Sequence, residues 1–444
     1  MKRPELKVAT PVERLQRYLD TLTQRAGHAD RVLPMQSYAK GLLLPLERKS
    51  IEPMAARLAP GEVRRMHQSL HHVVAQAAWS DEALLDEVRR QVLPVMTRRE
   101  PILAWIVDDT GFPKKGLHSV GVARQYCGQV GKQENCQVAV SLSLATRKAS
   151  LPAKHRLYLP ESWASNPALR KPAGVPEQIR FQTKPEIALD QIRSLAGEDV
   201  PRGVVLADAA YGNDHEFRGK LESMELEYVV GIQSSTTVWP PGTSPLLPVK
   251  RSATGRPPRL LRRDQHHQPL SVKELACCLS PGDLRRVSWR EGTRGAMHSR
   301  FAALRVRVAH RDYERSQPRA EQWLLIEWPK AEKEPIRYWL SNLSESVSLR
   351  RLVMLAKHRW IIERDYLELK QEIGLGHFEG RGWRGFHHHA SLSIAAYGFL
   401  VRERDLFPPR AKSPQLRAAR LRLPLPRRPP GYTPRGAPRS HRTP

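Results

Sequence analysis

Apolar residues recur every three or four positions in PVERLQRYLDTLTQRAG (residues 11–27) and in SDEALLDEVRRQVLPVM (80–96), a spacing that turns one stripe of a helix toward a core. Ser80, followed by Asp81 and Glu82, suits a helix start. Residues 1–98 are therefore expected to form a helical N-terminal domain, with basic residues along it that suit DNA binding. From residue 101 the period changes. ILAWIVDD (102–109), SVGVARQYC (119–127) and CQVAVSLSLA (136–145) are β-type runs parted by glycine-containing stretches, and they predict a three-stranded meander. PEIALDQIRSLAGED (185–199) predicts a helix leading into GVVLADAAYG (203–212), a strand that stops at an acid. A further helix and strand follow in DHEFRGKLESME (214–225) and LEYVVGIQ (226–233).

Residues 237–270 hold seven prolines among many basic residues, a loop or linker composition. The runs VSWREG, FAALRVRVAH, EQWLLIEWP and IRYWLSN then predict a second β-rich block over about 284–342, and a long helical region follows. The expected organisation is a helical segment 1–98, a first catalytic part 99–236, a linker with a β-rich insertion 237–345, a helical completion 346–405 and a basic, proline-rich tail 406–444. Residues 401–444 carry twelve Lys plus Arg, two acids and ten prolines, so this end is unlike a packed core.

Charge narrows the partners. The 444 residues contain 73 Lys plus Arg against 45 Asp plus Glu, a net charge of +28, and such a field attracts polyanions, DNA or RNA first among them. No run of 18 apolar residues and no apolar leader at the N-terminus is found, so the expected setting is cytoplasmic, at the nucleoid, without a membrane. Four cysteines (Cys127, Cys136, Cys277, Cys278) form neither a CxxC pair nor a disulfide framework. The run His387–His389 is a poor metal site on a helix, where adjacent side chains diverge by about 100°. GFPKKG and GQVGKQ lack the Walker spacing, so no nucleotide cofactor is expected.

The candidate chemistry lies in acids placed against apolar strands. Asp108 and Asp109 follow WIV, and Asp208 follows VVLA; a carboxylate there is costly unless it meets positive charge. In HRWIIERDYLELKQEIGLGHFEG (358–380), Arg359, Glu363, Tyr366 and Lys370 return to nearly one direction on a helix, while Glu368 and Glu372 fall opposite. An ordinary solvated face with i,i+4 ion pairs is the plainer account of that stripe. Taken with Asp208 and one of the Asp108/Asp109 doublet, however, Glu363 completes a trio of carboxylates suited to hard divalent cations. Two such ions can activate a water or a 3′-hydroxyl and stabilise the leaving oxygen of a phosphodiester.

Three blocks, DDTGFPKKGLHSVGVARQYCGQVGKQENCQVAVSLSLA, LADAAYGND and HRWIIERDYLELKQEIGLGHFEGRGWRGFHHHA, together resemble the DDE transposases of bacterial insertion sequences (IS4-like superfamily), over roughly residues 10–400. The resemblance implies an α/β fold: an RNase H-like mixed sheet flanked by helices, with a β-rich insertion and a helical N-terminal domain. It implies Asp108, Asp208 and Glu363 as catalytic ligands of two Mg²⁺ or Mn²⁺ ions, with Asp109 as the alternative to Asp108. Arg359, Glu363 and Lys370 match the family's Arg-x3-Glu-x6-Lys signature, which implies that Arg359 and Lys370 hold DNA phosphates; Ala356 replaces the tyrosine that many relatives carry before the arginine. The insertion, with Trp289, Trp323, Trp328 and Trp339, resembles the part that some relatives use to hold element ends. The implied activity is two-metal-ion cleavage at terminal inverted repeats and joining to target DNA, by a homodimer on double-stranded DNA. The alternative is a non-catalytic, domesticated DNA-binding protein derived from such an enzyme, and a structure-selective nuclease on the same sheet is a third reading.

Overall fold

The computed structural model describes residues 9–249, 259–292 and 295–408; nearly all of the expected basic tail lies outside them. Five helices come first: α1 Pro11–Thr23, α2 Ala29–Leu43, α3 Ile51–Leu58, α4 Val63–Ala75 and α5 Asp81–Met96. Thr10 and Glu13 close a capping box on α1, and the Ser80 hydroxyl accepts from the Ala83 N–H to start α5. The strands β1 Ala104–Pro113, β2 Ala123–Cys127, β3 Lys132–Ala145 and β4 Ser150–Leu157 follow. The short helices α6 Glu161–Ala164 and α7 Pro167–Arg170 lead to α8 Lys184–Ala196. Next come β5 Val204–Ala207, α9 Ala209–Gly212, α10 His215–Ser223, β6 Tyr228–Ile232, β7 Thr237–Trp239, β8 Leu270–Ser271 and α11 Val272–Cys277. The chain continues through β9 Arg285–Gly292, β10 Gly295–Val308, β11 Gln322–Glu327, β12 Arg337–Ser341, α12 Leu349–His358, α13 Trp360–Glu368 and α14 Trp383–Leu406.

The strands form one mixed sheet flanked by helices, in the order β2-β3-β1-β5-β6-β12-β11-β10-β7-β8, with β4 against β3 and β9 against β10. This is the RNase H-like α/β arrangement expected from the sequence. Its centre is parallel: β1 pairs with β5 and β5 with β6, each crossing through helices. The expected meander is corrected, because β3 lies between β1 and β2 and pairs antiparallel with both. A strand the sequence did not suggest, β4, pairs with the other half of β3; Pro152, Lys154, His155 and Arg156 break its apolar pattern. The supposed linker 237–270 contains β7, the start of β8 and a bridge between Leu246 and Arg262. The β-rich insertion continues the central sheet, since β12 pairs antiparallel with β6, matching Leu340 to Val230.

α14 runs through the middle of the helical layer. Its residues Trp383 and Gly385–Val401 are buried, so it is covered on every side by helices or strands. The three histidines it carries are buried with it. The His387 ring nitrogen accepts from the Leu157 N–H, His388 stacks on Trp79 at 3.6 Å, and His389 meets the Tyr38 hydroxyl.

Candidate active site at the carboxyl end of the parallel strands

β5 pairs with β1 only along Ala104–Ile106, so β1 extends past its neighbour and leaves a crevice at the carboxyl end of the parallel pair. Asp108 and Asp109 were expected to end their strand. Instead they lie within it, opposite Ser141 and Val140 of β3, and β1 continues to Pro113. Successive strand side chains point to opposite faces, and this separates the doublet. The Arg359 guanidinium donates to Asp108 at 2.7 Å on one face, whereas Lys184 of α8 donates to Asp109 at 2.6 Å on the other.

Asp208 follows the last residue of β5 and caps α9, accepting from the Ala210 N–H at 2.9 Å. Gly212 makes this position possible. A Cβ there would stand 1.9 Å from the Gly231 carbonyl oxygen of β6, so only glycine lets α9 lie this close to the sheet behind the acid. Asp214, beyond the turn, serves the local backbone by capping α10.

The third acid comes from the helical region. The periodicity predicted one helix through residue 372; the structure has α12 and α13 joined at Arg359, then a π-turn over Leu369–Ile373 ending at Gly374, whose φ is +87°. Arg359, Tyr366 and Lys370 face the β1–β3 ladder, as the spacing suggested. Tyr366 bonds to Ser141, the partner of Asp108 in register, and Lys370 donates to the Gly111 carbonyl at 2.6 Å and to Gln129 at 2.9 Å. Glu363 opens to solvent, 67 % exposed, with its oxygen 3.9 Å from Arg359.

One guanidinium therefore stands among three acids from three elements. Burial alone would pull Arg359 down, yet Asp108, Asp208 and Glu363 hold it above its usual value. Burial pushes the Asp108 carboxyl up to about 7; Arg359 opposes the shift, while Asp208 and Asp109 add to it. Lys370, half-buried, is drawn down to about 8 by desolvation, against the pull of Cys127, Asp108 and Asp109. Asp208, Arg359 and Glu363 line a cavity of about 660 Å³ whose far wall is built by the insertion, including Trp289, Arg337 and Trp339.

Among the described residues, no three carboxylate, imidazole or thiol groups form a ready cradle for one ion. The donor chemistry still fits a hard divalent cation: Asp108, Asp208 and Glu363 all face one positive centre, which here is the arginine side chain. Three neighbours escaped the sequence reading. Lys184 pairs with Asp109. Lys357 lies among the Trp289, Phe301 and Trp339 rings and pairs with Glu327. Asp365 is buried between the Ser150 and Tyr397 hydroxyls. Only Asp365 left a trace in the sequence, as an acid on the apolar face made by Ile361, Ile362 and Leu369.

Comparison with known proteins identifies the family of the chain. The chain is 32% identical over 196 residues to a probable transposase for insertion sequence element IS701 from Microchaete diplosiphon, a match covering 44% of this chain and 47% of the relative. The chain thus spans about half the length of the curated relative it matches. A family model described as DDE superfamily endonuclease matches residues 17–296, a stretch that contains Asp108 and Asp208 and stops short of Glu363. With well over half of its length inside that match, the chain belongs to the DDE superfamily of endonucleases.

Proposed function

We propose that this protein is the transposase of an insertion element, cutting DNA at the element's ends and joining the freed 3′-hydroxyl to target DNA, with Asp108, Asp208 and Glu363 as its catalytic acids. One observation carries the reading: acids from β1, the end of β5 and α13 converge on the Arg359 guanidinium at the carboxyl end of parallel strands. Asp108 is chosen over Asp109 because Asp109 faces α8 and already has Lys184. The three acids would hold two Mg²⁺ or Mn²⁺ ions. When bound, these supply Lewis acidity toward a phosphodiester and its attacking hydroxyl.

The chain's own residues prepare that chemistry. Without metal or DNA, Arg359 offsets part of the charge of the three acids. Once the carboxylates are otherwise satisfied, its planar donors are free to grip a phosphate of the strand being cut. Lys370, tied to the Gly111 carbonyl on β1, fixes the π-turn against the strand that bears Asp108 and stands ready for a second phosphate. DNA contacts by the helical N-terminal segment are supported by the exposed face of α4, which presents Arg64, Arg65, His71 and His72. Paired element ends call for two copies of the chain on DNA.

The test is incubation of the purified protein with labelled element ends and Mg²⁺, with and without EDTA. Cleavage and strand transfer that EDTA stops are expected. The changes Asp108→Ala, Asp208→Ala and Glu363→Ala should each abolish cleavage and leave DNA binding nearly intact. Full cleavage by the Glu363→Ala protein would overturn the assignment, and DNA binding without cleavage by the wild type would favour the domesticated, non-catalytic alternative.

A further inference from the structure

Beside the candidate active site lies a second cavity, of about 610 Å³, between the β9–β10 hairpin, the first turn of α12 and the turn joining β3 to β4. The two cavities share a wall made of Trp289, Arg290, Lys357 and Trp360, so a chain crossing the acids meets the second cavity next. Four guanidinium groups line it: Arg147 from the β3–β4 turn, Arg290 from β9, and Arg350 and Arg351 from α12. Among the described residues none of these four is ion-paired, whereas the neighbouring Lys357 and Arg359 each have a carboxylate partner. Arg290 lies over the Trp360 ring at 4.0 Å, and His358 is bound to the Thr146 carbonyl at 2.8 Å. The one carboxylate on the lining is Glu291, which is exposed.

Like charges gathered in one concave space repel unless an anion joins them. Arg351 records the strain: burial lowers its pKa, Arg147 lowers it further, and Glu227 only partly opposes them. A cavity this size, opening onto the acid-lined one, fits a chain of linked phosphates better than a single small anion. Arginine is also the side chain that grips phosphate with two parallel donors.

We propose that this cavity is a phosphate-binding channel for the DNA strand that continues beyond the candidate acids, with Arg147, Arg350 and Arg351 holding its backbone. The inference rests on the reading that DNA lies across Asp208 and Glu363, and it adds a path and a sequence-independent grip to it. The probe is a fluorescein-labelled element-end duplex bound to the full-length protein in EDTA, followed by anisotropy over a series of KCl concentrations. Each phosphate neutralised contributes about 0.9 to the slope of log affinity against log salt. The Arg147→Gln/Arg350→Gln/Arg351→Gln protein should bind at least about tenfold more weakly, with a slope shallower by about two to three. The matching Arg→Lys triple keeps the charge and should keep the slope.

If the glutamine triple does not unfold cooperatively, the single change Arg350→Gln, on an exposed side chain, carries the test with a loss of about one in slope. An unchanged slope in a folded glutamine variant overturns the channel, as does displacement of the DNA by inorganic tripolyphosphate at equimolar concentration, which would mark a small-anion site. Failure here and failure of the catalytic reading are separable. A wild type that cleaves while the glutamine variant keeps its slope sinks only the channel, and a wild type that never cleaves while that variant loses slope sinks only the catalysis. If the wild type binds no DNA, both fall.

Discussion

Two aspartates near the candidate site, one on β1 and one on α13, are both pushed up by burial but in different surroundings. Asp108 on β1 is paired with Arg359, which only partly offsets its burial, so a further cation beside it would stabilise its ionised form. Asp365, two residues after Glu363, faces inward, where the Tyr397 hydroxyl donates at 2.7 Å and the Ser150 hydroxyl also donates. Burial outweighs both hydrogen bonds and pushes the Asp365 carboxyl up to about 6 from 3.8. The folded state therefore holds this proton more tightly than the unfolded chain. Its contribution to stability is complete below about pH 4 and disappears as the pH rises through about 6. Asparagine imitates the neutral acid and cannot titrate. The melting temperature of wild type minus that of Asp365→Asn should thus fall steadily between about pH 4 and 6.5 and level off above it. A difference that does not vary with pH would mean the carboxyl is ionised in the native protein.

At the scale of elements, the join between the insertion and the catalytic helices depends on one ammonium. Lys357, in the last turn of α12, lies 4.7 Å from the Trp289 ring of β9, 5.7 Å from Phe301 of β10 and 5.4 Å from Trp339 of β12. Its charge is matched by Glu327 of β11, only 4 % exposed. Four strands of the insertion thereby close on the residue two places before Arg359, and the electron-rich ring faces favour a cation between them. Removing one member of such a pair strands the other charge in a dry place, at a cost of about 3 to 5 kcal/mol, whereas replacing both with apolar groups is often close to neutral. Lys357→Met alone should be strongly destabilising in urea unfolding, and Lys357→Met/Glu327→Leu should recover most of the loss. If the double variant is as unstable as the sum of the two singles, the pair is not coupled in the way its geometry indicates.

Across the whole molecule, what the sequence made legible was local: the cap at Ser80, the strand that delivers Asp208, and the stripe that turns Arg359, Tyr366 and Lys370 one way. What it hid is decided by distant partners. β4 is buried because β3 and α14 cover it, and the cage around Lys357 needs strands from 285 to 341 folded together. The same dependence governs the N-terminal helices, whose core is completed by α14 from the far end of the described chain. Tyr18 donates to the Ala395 carbonyl at 2.9 Å, Trp79 stacks on His388, and Arg14 pairs with Glu403. At Gly398 a Cβ would lie 3.0 Å from a methyl of Val88 and 3.1 Å from the Tyr18 hydroxyl, which measures how closely α14 fits against α1 and α5. Deleting residues 1–98 would therefore expose one whole side of a helix whose other side packs on β4 behind the candidate site. The truncated protein should lose its cooperative thermal transition and bind a hydrophobic dye. A sharp transition retained in residues 99–444 would show instead that the sheet carries its own core and that the helical segment is an appendage to it.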